Sequence, residues 1–197
     1  MLTDGYHDVP DGKLAMVVTH LEMRAAPALR PIELPDGVSL RQVTPTVEWY
    51  RDVFDRVGAQ HWLWFSRLRM SDADLAAIMT DTDRVYYTLG KDGQDEALLE
   101  LDFSQSGECE LAYFGLTPKL IGAGAGRYLM NHAIATAWSQ DITRFHLHTC
   151  TIDSPQALAF YLRSGFTPYR RQIEIADDPR LTGLLDSDAG PHVPIIG

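Results

Sequence analysis

Cysteine is scarce: Cys109 and Cys150 are the only two in 197 residues, too few for a disulfide framework. No Cys-x-x-Cys or His-x-x-x-His spacing supplies the ligands of a metal site, so both thiols are expected to be reduced and buried, with no metal bound. No apolar run approaches the ~20 residues that span a bilayer, and Asp4, His7 and Asp8 break any charged-then-apolar leader pattern. A cytoplasmic protein without a membrane partner is the expectation. Basic clusters are missing as well. With 17 Lys and Arg against 27 Asp and Glu the net charge is -10, which disfavours nucleic acid and is compatible with a cationic substrate such as an amine. There are no internal repeats.

What is present is a 45% apolar chain long enough to bury one core. Leu14 to Met23 and Val38 to Val43 read as strands, separated by Pro27, Pro31, Pro35 and Asp36-Gly37. From Pro45 the spacing turns helical, with Val47, Tyr50, Val53, Phe54 and Val57 on one face and Gly58 as the expected stop. Trp62, Trp64 and Phe65 follow, and Ser71 caps a short helix through Leu75, Ile78 and Met79. Arg84 to Leu89 and Glu96 to Phe103 flank a hairpin turn at Gly90 to Gly93, and Glu108 to Leu116 forms a third strand. Leu129, Met130, Ala133, Ile134, Ala137 and Trp138 then stripe a helix of about four turns. Arg144 to Thr151 alternates as a strand, Ser154-Pro155 opens a helix that Gly165 ends, and Phe166 to Ile175 is a last strand. The order divides the chain into a strand-and-linker extension (1–37) packed on the core, a main domain (38–176) and an irregular tail (177–197). A meander followed by a βαβ crossover makes an α+β protein with a mixed sheet and helices on its faces.

Between the third strand of the meander and the striped helix stands Gly122-Ala123-Gly124-Ala125-Gly126-Arg127. Glycines remove the Cβ atoms that would hold a ligand away, and the helix behind them presents unpaired N–H groups and a positive dipole end to an anion. A Walker loop would end in Gly-Lys-Ser/Thr, but Gly126 is followed by Arg127-Tyr128. A dinucleotide fingerprint needs a third glycine where Arg127 stands.

This run, followed by Ala157-Leu158-Ala159-Phe160-Tyr161-Leu162-Arg163-Ser164-Gly165-Phe166 in the expected order and separation, resembles the GNAT superfamily of acyl-CoA-dependent N-acetyltransferases. The resemblance covers about residues 38 to 175 in architecture and 110 to 170 in motifs. It implies a GNAT-like, mostly antiparallel sheet of about six or seven strands, and an enzyme that moves an acetyl group from acetyl-CoA to a primary amine by direct attack. It implies that Gly122, Ala123, Gly124, Ala125, Gly126 and Arg127 hold the pyrophosphate of coenzyme A, and that the main chain of Phe114 and Leu116 pairs with the pantetheine. Gly115 is the expected bend in that strand. Ser154 stands where the family often has an Asn that touches the cofactor, and it also suits an N-cap before Pro155.

The residue heading the pyrophosphate pattern is usually Arg or Gln; here it is Ile121, which leaves that contact missing or passes it to Lys119 or Arg127. Tyr161 matches the family tyrosine that protonates the leaving thiolate, and a core role on the stripe Leu158, Tyr161, Leu162 competes with it. Glu110 resembles the family's carboxylate base, ahead of His146 and His148, which share one face of the strand from Arg144 to Thr151. Tyr113 is expected on the opposite strand face from Glu110, in the core. The acceptor is a small-molecule or peptide amine; Trp62, Trp64 and Phe65 read as a core cluster, with walls of the acceptor pocket as the alternative, and homodimerisation is left open. An acyl-CoA-binding module without catalysis and a nucleotide-binding oxidoreductase are the competing readings.

Overall fold

A computed structural model describes residues 3–197. Eight strands, β1 (Lys13–Met23), β2 (Val38–Val43), β3 (Arg84–Lys91), β4 (Gln94–Asp95), β5 (Ala97–Asp102), β6 (Glu108–Leu116), β7 (Arg144–Cys150) and β8 (Thr167–Asp177), form one sheet. Its order is β2-β3-β5-β6-β7-β1-β8, with β4 paired to β3. β6 and β7 run parallel and the other pairs antiparallel, so the sheet is mixed and mostly antiparallel, as the sequence implies.

The two N-terminal strands do not meet. β1 lies between β7 and β8, whereas β2 forms the far edge beside β3, so residues 24–37 cross a face of the sheet. The β3–β4 connection is tighter than the sequence suggests, because Asp92 and Gly93 both take positive φ (52° and 78°) in a two-residue turn. That turn matches the twist of the strands it joins.

Helix α4 (Ala125–Trp138) and helix α5 (Ala157–Arg163) cover one face, and α1 (Val47–Phe54), α2 (Gln60–Trp62) and α3 (Asp72–Met79) cover the other. α4 buries Leu129, Met130, Ala133, Ile134 and Ala137 against Leu99, Leu101, Phe145 and Leu147 of the sheet. Each such leucine or phenylalanine contributes about 1.5–3 kcal/mol through burial. On the other face Tyr50, Val53, Phe54, Leu75 and Leu98 form a second cluster.

Gly58 does not stop the first helix. The chain continues through a π-helical segment, Asp55–Ala59, into α2 and ends at Leu63, whose φ of 52° is left-handed. Gly58 is there for clearance: a Cβ at this position would come within 2.0 Å of the Trp64 ring.

The tail from Asp178 has no helix or strand, yet it is pinned to the body. Asp178 and Arg180 form a buried ion pair, and the Arg180 guanidinium donates to the carbonyls of Ala189, Gly190 and Val193. Leu185 and Ala189 pack with Leu14, Met16, Leu63 and Ile152 in a third cluster. Among the described residues no helix is long and apolar enough to cross a membrane.

Candidate functional site

β6 and β7 stay together for only three residue pairs, Glu108–Arg144, Cys109–Phe145 and Glu110–His146, and then separate. From Leu111 to Leu116 the edge of β6 that faces β7 lacks a strand partner, so its backbone groups line an opening in the middle of the sheet. A bulge at Ala112 starts this divergence: Leu111 pairs with Leu101 and Tyr113 with Glu100, leaving Ala112 unmatched. The bend therefore lies three residues before Gly115. Gly115 instead provides clearance, since a Cβ there would meet Val57 at 2.4 Å and Trp64 at 3.0 Å.

The same bulge corrects the expected position of Tyr113. One extra residue resets the alternation, so Tyr113 shares the α1 face with Glu110, packing against Phe54 and Trp64, while Phe114 turns to the α4–α5 face. Simple alternation cannot detect such a reset.

The glycine run sits at the head of this opening. Gly122 and Gly124 take φ of 88° and 85°, values that favour glycine, and Gly124 caps α4 without any side-chain hydrogen bond. The first turn of α4 closes through Arg127 and Tyr128 N–H donating to the Gly124 carbonyl, and Gly122 and Ala123 are exposed ahead of it. Ala125 is buried under the helix, whereas Arg127 is exposed. Ile121 is 57% exposed at the head of the loop.

Lys119 is committed elsewhere: its ammonium donates to Gln94 and to the buried Glu96. Burial raises the Glu96 carboxyl, but hydrogen bonds from Lys119 and Thr117 outweigh this and hold it below its ordinary value. Of the two cations considered for the anion, Arg127 alone has its side chain in the first turn of α4 with no ion pair among the described residues.

The crossing linker reaches this loop as well. Ile32 occupies the space beside Gly124, where an added Cβ would come within 2.6 Å of its Cδ1 atom. Arg30 donates to the Arg163 carbonyl at the end of α5, and Asn131 of α4 donates to the Arg30 carbonyl.

Tyr161 lies on α5 at the α4–α5 side of the opening, 8% exposed, in an aromatic group with Phe114 (ring centroids 6.4 Å), Phe160 and Phe166. Its hydroxyl makes no hydrogen bond among the described residues. Burial, with the nearby Asp153 charge, pushes the phenol well above its ordinary value, so it keeps its proton at neutral pH. Ser154 is not the cap itself. The helix starts at Ala157, and Ser154 holds the preceding turn by accepting from Gln156 N–H at 3.4 Å and from Ala157 N–H at 2.8 Å.

On the α1 face Glu110 carries a half-buried carboxylate 3.6 Å from Nδ1 of His148. The ion pair with His148 lowers the Glu110 pKa, and the same pairing raises that of His148 above 6.5. His146, 3.4 Å from Glu108, is shifted the other way by burial. Glu110 and His148 thus form a coupled proton-holding pair beside the opening, with the His20 ring 5.7 Å from His148.

Trp64 is the only member of the aromatic triplet at the opening. It packs on Phe54, Tyr113, Gly58 and Gly115, and its indole N–H donates to Asp153 Oδ1 at 3.0 Å. Trp62 instead meets His192 of the tail edge-to-face, and Phe65 faces a surface cavity of about 450 Å³ between the loop and the tail. Asp153 escapes sequence reading, although it joins three parts of the site: besides Trp64 it accepts from Thr149 Oγ1 (2.7 Å) and Cys150 N–H (2.9 Å). Its one sequence signal is an Asp directly before Ser-Pro, a turn-forming pattern. The loop behind Trp64 is fastened by Arg67, which bonds to the fully buried Glu100 and lies over the Tyr113 ring, and by Arg51, which donates to the carbonyls of Leu68 and Met70.

A family model described as "Acetyltransferase (GNAT) family" matches residues 44–166. A mycothiol acetyltransferase of Jonesia denitrificans is 39% identical over 64 residues, which are 32% of this chain and 20% of that protein. The fold resembles that of a GCN5-related N-acetyltransferase from Sphaerobacter thermophilus (TM-score 0.59, 12% identity), covering 83% of this chain and 52% of the other. It also resembles a tandem GNAT protein from the clavulanic acid biosynthesis pathway (TM-score 0.56, 16% identity), covering 82% and 53%. The chain thus spans one fifth of the curated relative and about half of each of these structures.

Proposed function

Because the chain belongs to the acetyltransferase (GNAT) family, we propose that it moves an acetyl group from acetyl-CoA to a primary amine by direct attack within a ternary complex. The observation that carries this reading is the opening between β6 and β7, with a glycine-rich helix N-terminus at its head, Tyr161 on one side and Glu110–His148 on the other. An extended pantetheine fits the unpaired edge of β6 around Phe114 and Leu116 as an added strand would. A pyrophosphate fits Gly122 to Arg127, where neither a Cβ at the two positive-φ glycines nor a side-chain cap competes for the backbone N–H groups.

The chemistry takes two protons from the nitrogen and gives one to the sulfur. An amine of pKa ~10.4 attacks only after losing a proton, which Glu110 accepts directly or through water when His148 is neutral. The amine nitrogen then bonds to the acetyl carbon, the C–S bond breaks and the thiolate takes the proton of Tyr161, after which the second proton leaves the nitrogen and passes through water to the Tyr161 phenolate, restoring the phenol. A phenol raised by burial is a weak acid, so its contribution is to hydrogen-bond the developing thiolate and transfer the proton as negative charge accumulates on sulfur. Trp64 and Tyr113 give the acceptor side an aromatic wall.

The test is acetyl-CoA turnover with a panel of primary amines, following free thiol and acylated amine together. Tyr161→Phe is expected to lower kcat by roughly 10- to 1,000-fold with little change in coenzyme A affinity. Unchanged turnover removes Tyr161 from the mechanism. Binding of acetyl-CoA without thiol release for any amine would instead favour an acyl-CoA-binding module, and the exposed Ile121 at the loop head is the observation behind that second reading.

A further inference from the structure

β8 forms one edge of the sheet and, among the described residues, pairs only with β1. It is exposed along almost its whole length, and Ile173 and Ile175 remain 51% and 50% exposed. A long open edge with apolar side chains is the feature that monomeric sheets usually blunt with proline, lysine or a bulge. Here Pro168 and the register shift opposite His20 and Leu21 interrupt only its beginning. From Arg170 to Asp177 the register with β1 is unbroken, so every second residue of these eight turns its backbone donor and acceptor to the open edge, in position for a further strand.

The side chains of this segment are complementary to themselves. We propose that β8 pairs antiparallel with β8 of a second copy of this chain, in the register centred on Gln172, so that one sheet continues through a twofold axis. In that register Arg170 faces Glu174 of the partner subunit, and the symmetry repeats the pair. Neither residue has an ion-pair partner within its own chain among the described residues. Arg171 falls opposite Ile173 of the partner subunit, and the two Ile173 side chains become diagonal neighbours on one face.

Alternative centres are worse. Centring on Arg171 or on Glu174 sets that residue against its own symmetry mate, and centring on Ile173 leaves Arg170 and Glu174 without opposite charges. Next to the edge, Val17 of β1 and Leu158 and Leu162 of α5 are 40–45% exposed, giving the pairing an apolar flank. Strand pairing needs such a flank, because stable interfaces bury about 800 Å² per partner.

Sedimentation velocity over a concentration series tests the proposal, using the wild type, Arg170→Glu, Glu174→Arg and the double charge swap. The wild type is expected to dimerise, each single variant to raise the dimer Kd by tenfold or more, and the double variant to recover most of the wild-type affinity. Circular dichroism should be the same for all four, since both side chains are exposed. In parallel, Gln172→Cys is expected to form a disulfide-linked dimer under mild oxidation, because directly opposed residues in this register bring their Cα atoms within ~5.5 Å. A monomeric wild type overturns the proposal. A dimer indifferent to both charge reversals, or no recovery in the double variant, overturns it as well. Failure of Gln172→Cys to cross-link overturns the register.

Discussion

Gly124 shows how much one position decides at the residue scale. Its φ of 85° costs a Cβ-bearing residue about 1–2 kcal/mol, and an alanine there would also press on Ile32 at 2.6 Å. Gly124→Ala is therefore expected to lower stability by about 1–2 kcal/mol, read as a shift of the denaturant midpoint at constant slope. It should also weaken acetyl-CoA binding by more than Gly122→Ala, which has the same backbone strain but open space around it. Equal binding losses for the two variants would separate the strap at Ile32 from the loop. Glu110→Gln is expected to reduce turnover by about 10²–10⁴ with little effect on coenzyme A affinity, measured by steady-state kinetics beside a direct binding titration.

At the scale of elements, the parts readable in sequence are those with local causes. The α4 stripe has a 3.6-residue period, the glycine run has a backbone requirement, and the Ser71 cap accepts from Asp74 N–H as an N-cap should. The illegible parts depend on residues far apart in the chain. The Ala112 bulge is a property of β6 against β5, and it moved Tyr113 to the face of Glu110. Gly58 reads as a helix stop, yet Trp64 requires it as clearance, so the helix passes through as a π-segment. Asp153 gains its importance only when Trp64, 89 residues away, donates to it.

The loop carrying Trp64 is consequently the element whose alteration should change acceptor choice rather than cofactor binding. Asp153→Asn keeps an oxygen for Trp64 but removes the charge. It is expected to change acceptor KM several-fold and leave the acetyl-CoA Kd within about twofold, as kinetics and titration on the same preparation would show. A matching loss of acetyl-CoA affinity would place Asp153 on the cofactor side instead.

At the scale of the whole molecule, charge organisation ties stability and rate to pH. Glu110 is held below its ordinary 4.5, so its stabilising contribution is present above that value and is lost as pH falls through the lower folded pKa. His148 is raised above 6.5, so its contribution is complete below 6.5 and is lost as pH rises through the higher folded pKa. The pair therefore stabilises most between these limits, where the carboxylate and imidazolium coexist. Asp153 and Glu174 add to Glu110 in favouring the imidazolium, and the His20 ring lies 5.7 Å away. In the mechanism proposed above, turnover runs against this window, because the imidazolium occupies the Glu110 carboxylate. The expected kcat/KM profile rises with pH through an apparent pKa above 6.5, and His148→Gln should move or remove that limb.

The glycine-headed opening between β6 and β7 as the seat of a coenzyme A thioester is tested most directly by calorimetric titration of the purified chain with acetyl-CoA, with NADPH as the comparison ligand. The expected result is one acetyl-CoA per chain, weakened in Gly124→Ala, and no heat from NADPH. Binding of NADPH in place of acetyl-CoA, or acetyl-CoA binding that Gly124→Ala leaves unchanged, would contradict it.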